Sequence, residues 1–388
     1  MIPKLKPRSF SAALAIGLFL ITVVAFLRPP LLPDIGRDLG LSAMGLGALG
    51  SVFALGRLAV DLPAGRLTDR FAAGPMMAWA GILVALGSAF LALAPTAFVA
   101  LVAVLVLGAG SAWTLTTAQA HFARAPRANR GVSMSIFAGA LLVGQAMGPG
   151  VGGVIGAAFD WRVALASGAV LALVVAGVFL GIRTVETVEG SSASIELRPE
   201  KDIPRAVLWT IYLLPAVQFA VGAAMIQTIV PIVADADLGM GPAIVGGALV
   251  VAGLARLLSA LIAGRVTDRV GRRAALLPGL GLQVLGLAVF ALGEGALWWW
   301  VAILLVSLGS VSVNVGTTML ADLSEGGGLG RRLGAFRFTG DVAFVVAPTL
   351  AGWLFDQRGR TAAIVPLLVF TVAVTIAATV VLPETRNA

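Results

Sequence analysis

The chain has 388 residues, of which 59% are hydrophobic and 12% charged, with a formal net charge of +8. Soluble domains carry about a quarter charged residues, so this composition excludes a soluble enzyme, a disordered chain and a nucleic-acid module. There is no cysteine and only one histidine, His121, which leaves no disulfide framework, no thiolate metal site and no multi-histidine metal centre. Arg outnumbers Lys beside abundant Ala, Gly and Val, a pattern expected of a GC-rich bacterial genome.

A membrane-spanning helix takes about 20 apolar residues. The first apolar run, 10–32, follows Lys4, Lys6 and Arg8. It is too long for a signal peptide and has no small-residue cleavage site, so it is read as a retained helix. Further runs follow at 42–64, 74–94, 97–120, 131–157, 163–182, 206–230, 242–263, 274–293, 296–319, 334–354 and 361–382, making twelve. With both termini cytoplasmic, that side collects nineteen Lys and Arg residues against five outside, as loop-charge asymmetry requires. Trp298, Trp299 and Trp300 open the tenth run at the outer interface. The polar stretch 183–205 divides the chain into an N-terminal six-helix bundle (1–182), a cytoplasmic linker with room for a short amphipathic helix, and a C-terminal six-helix bundle (206–388).

The two bundles read as repeats. GRLTDR from Gly65 to Arg70 recurs as GRVTDRVGRR from Gly264 to Arg273, an offset of 199 residues, and Arg57 recurs as Arg256. The fifth run ends in Phe159-Asp160-Trp161-Arg162 and the eleventh in Phe355-Asp356-Gln357-Arg358. A duplication of six helices keeps both copies in the same orientation, an architecture that recurs in secondary transporters.

With these residues in place, the chain resembles the major facilitator superfamily. The loop signature G-x-x-x-D-R-x-G-R-R is complete in Gly264, Asp268, Arg269, Gly271, Arg272 and Arg273. The first copy keeps Gly65, Asp69 and Arg70 but has Ala72, Ala73 and Gly74 in place of Gly-Arg-Arg. The fifth run carries Gly144, Gly148, Pro149, Gly152 and Gly153, similar to the helix-five motif of the drug:proton antiporter branch, with Ser135 at its leading glycine. That branch places an Arg on helix four where Val104 stands here. The resemblance implies an all-α integral membrane fold of two pseudo-symmetric six-helix bundles that alternate access. It also implies that Asp69 caps the start of helix eleven, while Asp268 has a local role.

A charge inside the bilayer costs roughly 2.5–3.5 kcal/mol on insertion scales. The intramembrane acids are Asp61 and Asp341 and the bases Arg57, Arg256 and Arg337, with Arg28 near the outer end of helix one and Asp34 a weaker acid at the mouth. Arg57 and Asp61 are i,i+4, as are Arg337 and Asp341, so each pair has a within-helix option. At 1.5 Å per residue, Asp61 and Arg337 both lie about 5–6 Å from the cytoplasmic end, and Arg57 and Asp341 about 10–12 Å. The depths match crosswise, which sets up the alternative: Arg57 with Asp341 and Asp61 with Arg337 close a cytoplasmic gate that protonation opens.

The resemblance assigns the central cavity to helices one, four, seven and ten. Those helices and helix five offer Trp113, Thr117, Gln145, Tyr212, Gln218, Gln227, Ser310 and Asn314, hydrogen-bonding groups without charge, with Arg256 or Arg28 available to an anion. Each is also an ordinary packing residue in a helical bundle. His121 is read as interfacial. No phosphate-binding loop, nucleophile elbow or metal quartet is present in the sequence. The expectation is a monomeric transporter in a bacterial inner membrane, not an enzyme. It uses no cofactor and binds no nucleic acid, and its partners are a small-molecule substrate, protons and lipid. It exports amphipathic compounds by proton antiport. The alternatives are a facilitator or symporter of an organic anion or lipid-like metabolite, and a non-transporting sensor on the same fold.

Overall fold

The computed structural model describes residues 7–68, 70–126, 129–182, 203–324 and 329–385. Asp69, most of the linker and the glycine turn Gly326-Gly-Gly328 lie outside the described residues. Every described element is helical, as lipid demands of a chain whose backbone groups have no water to bond. The membrane-length helices are α1 (Ser9–Leu39), α2 (Ala43–Thr68), α3 (Ala73–Ala92), α4 (Ala97–Ala123), α5 (Arg130–Ala158), α6 (Trp161–Leu180), α7 (Arg205–Ala236), α8 (Pro242–Arg269), α9 (Arg272–Leu292) and α10 (Ala296–Leu323). A last stretch, Leu329–Val381, has Gly359 at φ 75° and ψ −167° inside it. That residue divides it into α11 (329–358) and α12 (360–381). The described residues thus form the twelve apolar helices that the sequence runs anticipate.

Local chemistry explains the ends. Asp160 caps α6 by accepting from the Val163 N–H at 2.7 Å, and Thr96 does so for α4 through Val99. Gly40 and Gly239 close α1 and α7 at φ 63° and 61°, a left-handed turn that glycine adopts without strain. They are 199 residues apart, so the repeat is written in backbone conformation as well as in sequence.

Three helices are irregular. α1 runs past the expected end at Leu32, because Pro29 and Pro30 open a short 3-10 turn, Pro29–Leu31, that feeds a second helical piece, Leu32–Leu39. Proline is tolerated there because the first turn of a helix needs no N–H. α7 widens to a π-helix over Val221–Ile229, just before Pro231. α10 breaks between Leu308 and Ser312.

The chain divides into two compact units. The first comprises Met1–Leu41, Ala48–Ser192 and Met240–Val250; the second comprises Ser42–Gly47, Ala193–Gly239 and Val251–Ala388. The first turns of α2 therefore belong to the second unit and those of α8 to the first. Within the first unit, α3 packs against α4 and α6, its Gly81, Gly87 and Met77 buried. Within the second, α7 packs against α11 and α9 against α10. Large apolar side chains such as Phe98, Leu173, Leu258 and Val369 stay exposed, which suits a surface solvated by acyl chains.

Candidate functional site

The intramembrane charges do not pair within their helices. Arg57 on α2 is half-buried and reaches sideways to α4, where its Nη1 donates to Ser111 Oγ at 3.2 Å. Asp61, one turn on and also half-buried, has no hydrogen bond or ion pair with any described residue. Arg337 on α11 is exposed and likewise has none, so it does not close on Asp341. Asp341 itself is half-buried and does have a partner. Arg256 on α8 is half-buried and unpaired among the described residues.

The polar residues of the inner helices separate into two groups. In the first unit, Trp113 and Thr117 lie one helical turn apart on α4. The Trp113 indole nitrogen and the Thr117 hydroxyl are both sealed from solvent and have no hydrogen-bond partner among the described residues. Their neighbour Thr114 bonds back to the Gly110 carbonyl at 2.9 Å, so α4 satisfies one hydroxyl locally and leaves the other open. Gln145 on α5 is half-buried and unpartnered among the described residues. His121 accepts or donates with Ser11 at 3.0 Å and meets the Phe10 ring edge-on at 5.3 Å, so it joins α1 to α4.

In the second unit the polar groups mostly satisfy each other. Gln218 accepts from Gln283 Nε2 and from Ser312 Oγ, each at 3.3 Å, tying α7 to α9 and α10. Ser310 bonds to the Val306 carbonyl of its own helix at 3.1 Å. Asn314 is exposed, and its carbonyl accepts from Thr317 and Thr318. Tyr212 is buried with its carbonyl accepting from Thr339 at 2.6 Å. Gln227 sits in the π-helix, half-buried and with no partner among the described residues. Gln283 and Ser312 were not among the sequence-derived candidates, because nothing in an apolar run marks which polar residue faces which neighbour.

The loop after α8 is a built network. Gly271, at φ 142°, starts α9, and Glu384 caps it by accepting from the Arg272 and Arg273 N–H groups at 2.8 and 3.1 Å. The Arg272 side chain, 13% exposed, donates from Nε to Asp322 Oδ2 at 2.9 Å and from Nη1 to the Thr267 carbonyl at 2.7 Å. Thr385 donates to the same carboxylate at 3.0 Å. Arg273 Nη2 holds the Thr379 carbonyl at 2.7 Å. Asp268 is 80% exposed and 3.7 Å from Arg272, a contact worth little in water. Gly264, Asp268 and Arg269, expected in a loop, lie in the last turns of α8, and Arg269 has a bonding partner. Asp322 and Glu384 complete the arginine pair and lie 50 and 112 residues from Arg272 in sequence. At the end of α2, Gly65 is still helical and borders open space, and Arg70 is exposed with no side-chain bond among the described residues.

The helix-five motif is a close-packing device. Gly144, Gly148 and Gly152 face α1: a β-carbon would come to 2.8 Å from Thr22 Cβ at Gly144, to 2.7 Å from the Val23 oxygen at Gly148, and against the Leu27 oxygen at Gly152. Gly153 and Pro149 face the start of α8 within the first unit, where Gly246 lies against the Pro149 carbonyl. The same contacts recur 199 residues on within the second unit: Gly352 against Ala43, and Gly47 against the Pro348 carbonyl. Extending the repeat to Pro348 and Gly352 would have found them from sequence. At this second junction Asp356 accepts from the Ala43 and Met44 N–H groups at 2.9 and 2.8 Å, capping α2. Its counterpart α8 begins with Pro242, which has no N–H to offer.

The family model described as Major Facilitator Superfamily matches residues 14–233 and 213–388. Over 283 residues the chain is 28% identical to the uncharacterized MFS-type transporter YceJ of Bacillus subtilis (strain 168), covering 71% of this chain and 70% of that protein. A bacterial homolog of the human lysosomal transporter Spinster, inward-facing and unoccupied, superposes with TM-score 0.73 at 15% identity, covering 97% of this chain and 96% of the other. A mutant of the nucleoside transporter NupG gives 0.76 at 13% identity, with 95% and 98% covered. A D-xylose-proton symporter gives 0.74 at 16% identity, with 98% and 99% covered. At these identities the likeness is one of fold.

Proposed function

We propose that this chain, which belongs to the major facilitator superfamily, is a monomeric proton antiporter of a bacterial inner membrane that exports small amphipathic compounds by alternating access. The observation that carries the coupling is Asp61. It is a carboxylate within a membrane-spanning helix, half-buried, and unpaired among the described residues although Arg57 is one turn away. A carboxylate so placed gains and loses a proton without first breaking an ion pair, and a transporter needs such a group to couple a proton to a conformational change. Asp341, in the repeat-related bundle, is the second coupling candidate. Val104 is wholly buried on α4, so helix four supplies no charge and the coupling falls to α2 and α11. The irregular α1, α7 and α10 bear on the substrate, because discontinuous helices expose backbone dipoles where transporters bind their cargo. A proton moving through about 100 mV releases about 2.3 kcal/mol, enough to reverse the balance between two states of similar energy.

The test is flux in proteoliposomes under an imposed pH gradient, with ethidium and anionic fluorescein derivatives as cargo. Wild type is expected to accumulate at least one class against its gradient, and Asp61→Asn and Asp341→Asn to lose the gradient dependence. Arg57→Asp combined with Asp341→Arg tests the crosswise gate: recovery over both single variants supports it, and no recovery removes it. A second reading, a facilitator or symporter of an organic anion, draws on Arg256, a cation within α8 that no described residue neutralises. Flux that ignores the pH gradient would favour a facilitator; substrate and proton moving in the same direction would favour a symporter.

A further inference from the structure

The first unit contains an unneutralised cation more buried than Arg256. Arg28 is 5% exposed, and its Nε and Nη1 atoms are sealed from solvent with no hydrogen-bond partner among the described residues. Its guanidinium carbon lies 5.1 Å from the centre of the Phe53 ring, which Phe26 meets edge-on at 6.4 Å. Leu27 and Leu31 flank it, both buried. The nearby acids are engaged elsewhere. Asp34 pairs with Arg37. Asp38 accepts from the Trp161 indole at 2.8 Å and faces Arg162 at 3.8 Å. Pro29 and Pro30 fill the next two positions and bring no polar side chain.

A guanidinium stays charged in a protein, and burying it without a counter-charge is costly. The ring of Phe53 offsets part of that cost through cation–π attraction. It accepts no hydrogen bond in the guanidinium plane, where the Nε and Nη1 N–H groups lie on different edges. A carboxylate supplies both the negative charge and the acceptor lone pairs that these N–H groups lack, through charge-assisted bonds. The aromatic and aliphatic neighbours suit an apolar body behind it. One uncompensated positive charge balances one negative charge, so a monoanion fits better than a phosphate dianion.

We infer that Arg28 is the anchor of a binding site for amphipathic organic monoanions, carboxylates above all, with Phe53 and Phe26 against the apolar part. This rests on the transporter reading only in making the anion a cargo; the binding itself requires no direction of transport and no proton.

The experiment uses the full-length protein in lipid nanodiscs, with benzoate as the probe and benzyl alcohol as the uncharged control. Thermal unfolding is followed by tryptophan fluorescence. Benzoate is expected to raise the Tm of wild type saturably, as a ligand of the folded state must, and benzyl alcohol is not. Arg28→Gln should lose the benzoate response, Arg28→Lys should shift its midpoint roughly tenfold weaker, and Arg358→Gln, at an exposed cation, should keep it. Ligand-free Arg28→Gln should also unfold at a temperature no lower than wild type, because it removes an unneutralised buried charge; a variant that fails to fold would mark Arg28 as a structural residue and overturn the inference. An unchanged benzoate response in Arg28→Gln, or none in wild type, would overturn it as well. Benzoate binding that depends on Arg28, in a protein without gradient-driven flux, would uphold this site and remove the antiporter reading. Gradient-driven ethidium flux without benzoate binding would do the reverse.

Discussion

The loops after α2 and α8 read almost alike, yet the protein holds them by different means. GRVTDR ends α8 and leads into Gly271, Arg272 and Arg273, which Asp322, Thr385 and Glu384 fix in place. GRLTDR, which begins in the last turn of α2, continues into Ala72 and Ala73, and the residue that opens α3, Ala72, has no side chain able to cap it. Among the described residues, Arg124 reaches over from α4 to donate to the Thr68 carbonyl at 2.9 Å. The residue equivalent to Asp322 is Ala123. A repeated motif therefore transmits its shape but not its contacts; the partners decide, and they lie in distant parts of the chain.

The asymmetry reverses at the packing of the long helices. α5 meets α1 through Gly144, Gly148 and Gly152, whereas the equivalent positions on α11 are Ala343, Ala347 and Ala351. The largest expected effect follows. Gly152→Ala drives a methyl into the Leu27 carbonyl and should cost about 1–3 kcal/mol, read as a drop in unfolding temperature. Gly152→Leu should leave little folded protein. Ala351→Gly, the reciprocal change, should cost no more than about 1 kcal/mol.

Next in size is Arg272→Met. It removes a partly buried, charge-assisted bond to Asp322 and should cost about 2 kcal/mol. Arg70→Met, its exposed relative in the first loop, should stay within about 0.5 kcal/mol of wild type. Equal losses at both would erase the comparison.

The smallest effect concerns the cap that Asp356 provides for α2. Asp356→Ala should cost about 1 kcal/mol and speed hydrogen exchange at Ala43 and Met44. Asp160→Ala should cost a similar amount but act at Val163, because Asp160 caps the helix that follows it. Exchange at Pro242 has no counterpart, since proline has no amide hydrogen.

How much of this was legible in the sequence follows from the same physics. The twelve helices were, because a lipid-spanning run has to be long and apolar on every side. The duplication was as well, and Gly40 with Gly239 extends it to backbone conformation. The faces of the helices were not. In a soluble protein polar residues mark the outside of a helix, but here lipid is as apolar as the core, so Gln218 gave no sign of turning to Gln283 and Ser312 and away from a substrate. Thr117 and Trp113 gave no sign of being left unpaired. The acids that complete the α8 loop were out of reach for another reason: no local spacing connects Arg272 with Glu384. Arg28 was recognisable as a charge, but its place over Phe53 depends on α1 meeting α2. The apolar run ended at Leu32, whereas a second helical piece continues from there to Leu39.

The most direct test of proton coupling is to record proton movement itself. Pyranine trapped in proteoliposomes would report internal pH after ethidium or a fluorescein derivative is added outside, with no imposed gradient. The account predicts that a transported compound moves protons in the opposite direction in wild type, and that Asp61→Asn abolishes this proton signal. Substrate entry with no change in internal pH, or a full proton signal in Asp61→Asn, would contradict it.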